Sequence, residues 1–304
     1  MDTEITNNHQ LKPRKMWKAL LFSFLCAGMG QIYNGQVKKF FVVFACLILV
    51  PLFFDATKLS ITFYGCVVLY AIFISLILYL IIDACINARK LKNYVPKSYN
   101  KWYFHLLFGV LIIIAMWFFF KSPMSLQNYF VRHFKTTAIS SEPTLLIGDH
   151  IVADMQAYKY KNPDYGDIVV FNNNNIFWIY RVVGQPNDTI SIVDNLVKIK
   201  NKTTKSSLKE TVIIDDITCD KYEEILPNGH KYLIYKYSDF SSEKANIDNI
   251  IVPNDCYFLL GDNRDEAFDS RYIGVVNREQ IKGKATYILF GKEVFKRYNI
   301  DLTK

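Results

Sequence analysis

Four long apolar runs crowd the first 120 residues of this 304-residue chain, at about 19–33, 40–54, 59–82 and 103–120. No other feature limits the fold as strongly. A helix that crosses a bilayer needs roughly 20 apolar residues, with a range of about 17–25. Run 59–82 meets this, 103–120 meets it narrowly, and 40–54 meets it when extended to Thr57. Run 19–33 is short and passes into GMGQIYNGQ, residues 28–36, whose glycines and polar groups suit an interfacial turn. It carries no small-x-small site followed by a soluble chain, so it does not read as a cleaved leader.

Charge sets the expected orientation. Lys12, Arg14, Lys15 and Lys18 precede the first run, and Lys38 and Lys39 follow it. Arg89, Lys90, Lys92, Lys97 and Lys101 fill the loop before the last run. Basic loops favour the cytoplasmic side. All three clusters share that side if the first run lies on the membrane and the other three cross it. The expectation is a membrane domain over 1–121, with an interfacial segment about 19–33 and spans about 40–57, 59–82 and 103–120. Residues 122–304 then lie outside the cytoplasm, on the periplasmic or outer face of a plasma (inner) membrane. The net charge of +8 is explained by these flanks and by a lipid bilayer as partner, not by nucleic acid. Asp83 ends the third run and reads as an interfacial carboxylate near Arg89. A channel or transporter gains little support, because the spans lack paired charges and repeats.

Beyond residue 136 the pattern changes to short strand-like runs. These are His150–Ala153, Asp167–Phe171, Phe177–Val183, Thr189–Val193, Leu196–Lys200, Tyr232–Tyr237, Cys256–Leu260 and Lys284–Phe290. VDN at 193–195 reads as a hairpin turn. No helix alternates with the strands, so a mostly antiparallel β domain is expected over 122–304. Residues 202–250 are charged and irregular and read as a surface insertion. Cys219 and Cys256 are open to two readings, a disulfide or two free thiols. No Cys/His spacing suggests zinc.

Three stretches carry the chemistry: SSEPTLLIGDHI (140–151); GDIVVF (166–171) with YRVVGQPNDTI (180–190); and GDNRDEAFDSRYIG (261–274). Each alone is only a turn and a strand. Together, in this order and after apolar runs, they closely resemble type I signal peptidases over about 120–292. GMGQIYNGQ is similar to hairpin modules that precede many membrane domains, and it names no chemistry. The family resemblance implies an extracytoplasmic, largely antiparallel β domain behind membrane helices. It implies a serine endopeptidase that removes signal peptides from exported proteins after a small-x-small motif, by a Ser–Lys dyad and without metal or cofactor. Partners implied are signal peptides or exported preproteins, the bilayer and the secretion machinery.

Carried over residue by residue, the nucleophile position is Ser140, three before Pro143. The family's Lys-Arg-Val-Val-Gly pattern falls on Tyr180, Arg181, Val182, Val183 and Gly184, so the base lysine is replaced by tyrosine. Gly261, Asp262, Asn263, Arg264, Asp269, Ser270 and Arg271 match the third pattern, with Asp269 and Arg271 expected to form an ion pair. Two further departures stand out. The serine that would hydrogen-bond the lysine is Ala267, and the position of a common oxyanion donor is Ala138. The usual methionine after the nucleophile is Ser141.

A serine needs an adjacent base. Burial makes a lysine a better base and a tyrosine a worse one. A Tyr180 base would need cations nearby, and Arg181, Arg264 and Arg271 are the candidates. His133, His150 and Lys135 are alternatives near Ser140 in sequence, each also readable as a solvated or membrane-surface side chain. Two functional readings follow: a signal-peptidase-like enzyme with an altered base, or a membrane-anchored homologue that binds exported segments without cutting, as an accessory or regulatory protein.

Overall fold

The computed structural model describes residues 12–120, 130–214, 216–239, 242–292 and 296–304. The chain divides into two compact units, one helical within residues 1–128 and one mostly β within residues 129–304. The boundary expected at 121–122 lies outside the described residues.

The helical unit contains α1 (Met16–Leu25), α2 (Met29–Tyr33), α3 (Val37–Ala56), α4 (Phe63–Lys90) and α5 (Trp102–Phe120). Among the described residues, α3 and α4 are long and apolar enough to cross a membrane, by length and composition. In α5 the apolar stretch among the described residues is Trp102–Ile114. The glycine-rich segment is a tight packing element. Gly28 adopts φ +92°, which turns the chain between α1 and α2. A Cβ on Gly30 would stand 2.1 Å from Ser23 Oγ and 2.7 Å from the Ala84 side chain, so only glycine lets α2 approach α1 and α4 this closely. The amide nitrogens of Gln31 and Asn34 donate to the carbonyls of Leu80 and Ala84 in α4, both at 2.7 Å. α4 runs past the expected end at residue 82 and reaches Lys90. The Asp83 carboxylate lies inside the helix and pairs with Lys39 at 2.5 Å.

The β unit holds fourteen strands among its described residues. The largest sheet has eight: β1 (Val131–Lys135), β2 (His150–Asp154), β3 (Ile168–Asn173), β4 (Ile176–Gly184), β11 (Cys256–Leu260), β12 (Val276–Asn277), β13 (Ile281–Phe290) and β14 (Tyr298–Asp301). Their order is β1-β2-β13-β3-β4-β11-β12, with β14 also pairing β13. Two three-stranded sheets complete the unit. One joins β5 (Thr189–Val193), β6 (Leu196–Ile199) and β10 (Ile247–Ile251). The other joins β7 (Lys205–Ile214), β8 (Ile217–Ile225) and β9 (Lys231–Tyr237). Every pairing between these strands is antiparallel. The expected VDN turn is present: Asp194 and Asn195 sit at φ 50° and 64° and close the β5–β6 hairpin, as a type I′ turn requires.

Strand alternation builds the core. Val169, Phe171, Tyr180, Val182 and Leu259 pack in one cluster. Val183, Ile190, Ile234, Phe258 and Leu260 pack in another, which ties the small sheets to the large one. Residues 202–250 are not irregular. They contain β7–β9 and most of β10, and several β8 and β9 side chains reach inward. Glu224 on β8 pairs with Arg264, and both side chains are buried. Arg264 also donates to Tyr232 Oη on β9 at 2.9 Å and to the Gly261 carbonyl at 3.1 Å. This segment therefore supplies the counterion for a motif arginine. Cys219 and Cys256 are both free thiols.

Removing one member of a buried ion pair leaves an uncompensated charge, at a cost of about 3–5 kcal/mol. Glu224→Ala is expected to destabilise the β unit by that amount. Chemical unfolding of the full chain in detergent, followed by tryptophan fluorescence, checks it; an unchanged midpoint would show that Arg264 does not depend on β8.

Candidate active site

Ser140 lies in the turn after β1, and Tyr180 lies on β4. Alternation along β4 puts Trp178, Tyr180 and Val182 on one face and Arg181 and Val183 on the other. The two faces serve different ends.

On the first face, Ser140, Tyr180, Trp178, Phe268, Lys135 and Glu266 line a groove of about 380 Å³. Tyr180 is buried, with 6 % of its surface exposed, and its ring packs against Phe171 and Trp178, each at 5.9 Å between centroids. Its hydroxyl donates to the Phe268 carbonyl at 3.2 Å. Burial pushes this hydroxyl up to about 12, and the Asp269 carboxylate adds to the rise. The neighbouring Ser140 side chain and the Arg271 guanidinium pull the other way. Ser140 and Tyr180 thus share one groove. At pH 7 only about 10⁻⁵ of such a phenol is ionised.

On the second face, Arg181 donates to both oxygens of Asp262, at 2.9 and 2.7 Å, from a fully buried position. It also donates to the Gly166 carbonyl at 2.9 Å and to Thr144 Oγ1 at 3.2 Å. It also lies 3.3 Å from His230 Nε2. Burial, and then the adjacent guanidinium, hold His230 below its ordinary range, which keeps that nitrogen an acceptor. Thr144 Oγ1 donates in turn to Asp262.

The third motif forms the floor. Asp262, Asn263 and Arg264 lie in a turn after β11, and α6 (Ser270–Ile273) follows. Asp269 and Arg271 make the expected pair, two-pronged at 2.8 and 2.9 Å with both side chains fully buried. Asp269 also accepts from the Gly261 amide at 3.0 Å, and Arg271 donates to Asn195 Oδ1 at 2.9 Å. Ser270 Oγ accepts from the Leu259 amide at 2.9 Å. Asn263 donates its amide to the Ser140 carbonyl at 3.1 Å. Pro143 lies outside the groove and lines a neighbouring cleft with Thr144 and Arg181.

The three arginines considered as support for a tyrosinate are all committed elsewhere. Arg181 belongs to Asp262, Arg264 to Glu224 and Arg271 to Asp269. Of the alternative bases, Lys135 lines the groove with Ser140. His133 lies opposite Val152 in the β1–β2 ladder, and His150 stacks on Phe290 at 4.3 Å. Neither lines the groove. Ala138 does, without a side-chain donor, and the Ser141 hydroxyl is spent on the Ile179 carbonyl at 3.0 Å. Sequence reasoning missed Glu266 and the aromatic walls Trp178 and Phe268. A period-2 reading of β4 would have placed Trp178 beside Tyr180. Among the described residues no group of His, Cys, Asp and Glu side chains is arranged to hold a metal.

A family model described as signal peptidase, peptidase S26, matches residues 101–290, which include every groove residue named above. Signal peptidase I of Rickettsia conorii is 32 % identical over 185 residues, 51 % of this chain and 70 % of that protein. Signal peptidase I of Rickettsia prowazekii is 33 % identical over the same shares. A solved signal peptidase I from Enterococcus faecalis V583 is 25 % identical, covering 41 % of this chain and 98 % of its own, with a TM-score of 0.26. With its three motifs converging on one groove and the family match spanning more than half of its length, the chain belongs to the signal peptidase family.

Proposed function

We propose that this chain is a membrane serine endopeptidase of signal peptidase I type, cutting signal peptides from exported proteins after a small-x-small motif, with Ser140 as nucleophile. The observation that carries this reading is that Ser140 and Tyr180, which stands in the family's base position, line one groove. Trp178 and Phe268 would wall the groove against large side chains beside the scissile bond.

Tyr180 is assigned as the group that receives the serine proton. Its chemistry then differs from that of a buried lysine. The phenol must lose its own proton before it can take another, and its raised pKa keeps it neutral near pH 7. The active form is the tyrosinate, so kcat/KM should rise about tenfold per pH unit toward the value near 12. Cleavage of a signal-peptide substrate by full-length protein in detergent is the test. Ser140→Ala is expected to abolish it. The profile should climb from pH 7 to 10; a plateau across that range would assign the base to another group. Tyr180→Lys with Ala267→Ser should raise the rate near pH 7 by about 10²-fold or more. No cleavage by folded protein under any of these conditions would leave the groove as a binding site for exported segments.

Gly261 holds the nucleophile loop in place. A Cβ there would stand 2.3 Å from the Ser140 carbonyl oxygen and 2.4 Å from Ala267 Cβ. Backbone must move to admit it, and overpacking of this kind costs about 1–3 kcal/mol. Gly261→Ala is expected to lower kcat at least tenfold while the chain still folds; a wild-type kcat would show that Ser140 tolerates displacement.

The proposed orientation places the β unit outside the cytoplasm, at the outer face of a plasma membrane crossed by three helices, where exported preproteins and the secretion machinery would meet it. A reporter fused after Lys304 and active only in an extracytoplasmic compartment is expected to be active. A reporter that works only in the cytoplasm would overturn the orientation.

A further inference from the structure

The helical unit carries two adjoining depressions that the proposed peptidase chemistry does not use. The first, about 520 Å³, is lined by Lys12, Arg14, Lys15 and Lys18, with no carboxylate among the described residues that line it. The second, about 360 Å³, is apolar and lined by Leu25, Met29, Leu106, Val110 and Ile113. Phe22, Trp102 and His105 line both. A cationic end therefore runs into an apolar path between α1, α2 and α5.

The cationic end is a built site. The Arg14 guanidinium is clamped between the rings of Tyr33 and Tyr94, 4.5 and 4.0 Å from their centroids. Its Nε and Nη2 are buried, with no hydrogen-bond partner among the described residues. Buried donors of a charged group without an acceptor are costly. A guanidinium held in a fixed plane with two free donors is suited to a phosphate. His105 repeats the pattern. It is 5 % exposed and stacks on Phe22 at 4.9 Å. Its Nδ1 meets the Lys101 carbonyl at 3.1 Å, while Nε2 has no partner among the described residues.

We propose that these depressions bind one anionic phospholipid, with its phosphate on Arg14 and the neighbouring lysines and an acyl chain along the apolar path. A soluble phosphate would fill the first depression and leave the second empty. Trp17 and Trp102, 57 % and 76 % exposed, line the cationic depression as tryptophans line a membrane–water interface. Basic clusters at that level attract anionic headgroups.

Native mass spectrometry of the full chain in a non-ionic detergent, with equal phosphatidylglycerol and phosphatidylcholine, tests this directly. One phosphatidylglycerol should be retained, about tenfold in preference to phosphatidylcholine. Arg14→Gln should remove most of that preference. Gly109 lines the apolar path, and nothing lies within 4 Å of the place where its Cβ would stand. Gly109→Leu should therefore fill the acyl path without disturbing the helix, and it should reduce retention although no charge changes. Glycerol phosphate should fail to displace the lipid. Equal retention of the two lipids, unchanged retention in either variant, or full displacement by glycerol phosphate would overturn the assignment. The wild-type comparison needs no variant to fold, and none of the readouts depends on peptide cleavage.

Discussion

The buried pair of Arg181 and Asp262 joins what the sequence keeps apart. Arg181 comes from the strand that carries Tyr180, and Asp262 from the turn behind Gly261. Thr144, four residues after Ser140, donates to the same carboxylate. Three distant motifs thus meet on one side chain. Burying such a pair gains little net stability, because desolvation offsets most of the attraction. What it supplies is register. Ser140 can face Tyr180 only if its loop, β4 and the 261–271 turn keep fixed positions. The second pair, Asp269 with Arg271, does the same for Gly261 through its amide. The motif residues are mostly the means by which Ser140 is held, and few of them face the groove.

The exchange of lysine for tyrosine reverses the effect of that burial. A desolvated ammonium gives up its proton more easily, whereas a desolvated phenol holds it more tightly. The same dry, aromatic surroundings that would activate a lysine push Tyr180 up to about 12. Nearby cations do not compensate, since each arginine of the site is matched by its own carboxylate. Ala267 fits this picture. Without a lysine to orient, a hydroxyl at 267 would be a buried polar group in need of a partner, and a methyl group packs there at no such cost.

Much of the β unit was legible because its strands alternate or run apolar over four to nine residues between turn signals. The VDN hairpin and the Asp269–Arg271 pair were both open to reading from motif and spacing. Residues 205–237 were not. The first six residues of β7 are Lys, Ser, Ser, Leu, Lys and Glu, and most of its side chains are exposed, so no apolar alternation marks it as a strand. Its pairing with β8 makes it one. The partner of Arg264 was illegible for the same reason, as Glu224 lies 40 residues away in sequence on one of those strands. Pairing across a sheet leaves no local trace when the strand is polar.

In the helical unit the period failed in the opposite sense. Nearly every position is apolar, so hydropathy marks a helix without saying which face packs or where it ends. α4 continues past residue 82 because Asp83 is neutralised by Lys39 and Asn87 donates to it at 2.9 Å. A carboxylate that would end an isolated apolar run is accommodated inside a helix once a neighbour supplies the opposite charge. The polar side chains, few as they are, decide the packing. Gln31 and Asn34 donate to α4 carbonyls, and Gly30 removes the bulk that would keep α2 from reaching them. In surroundings where apolar contacts are interchangeable, direction comes from small residues and from hydrogen bonds that have no substitute.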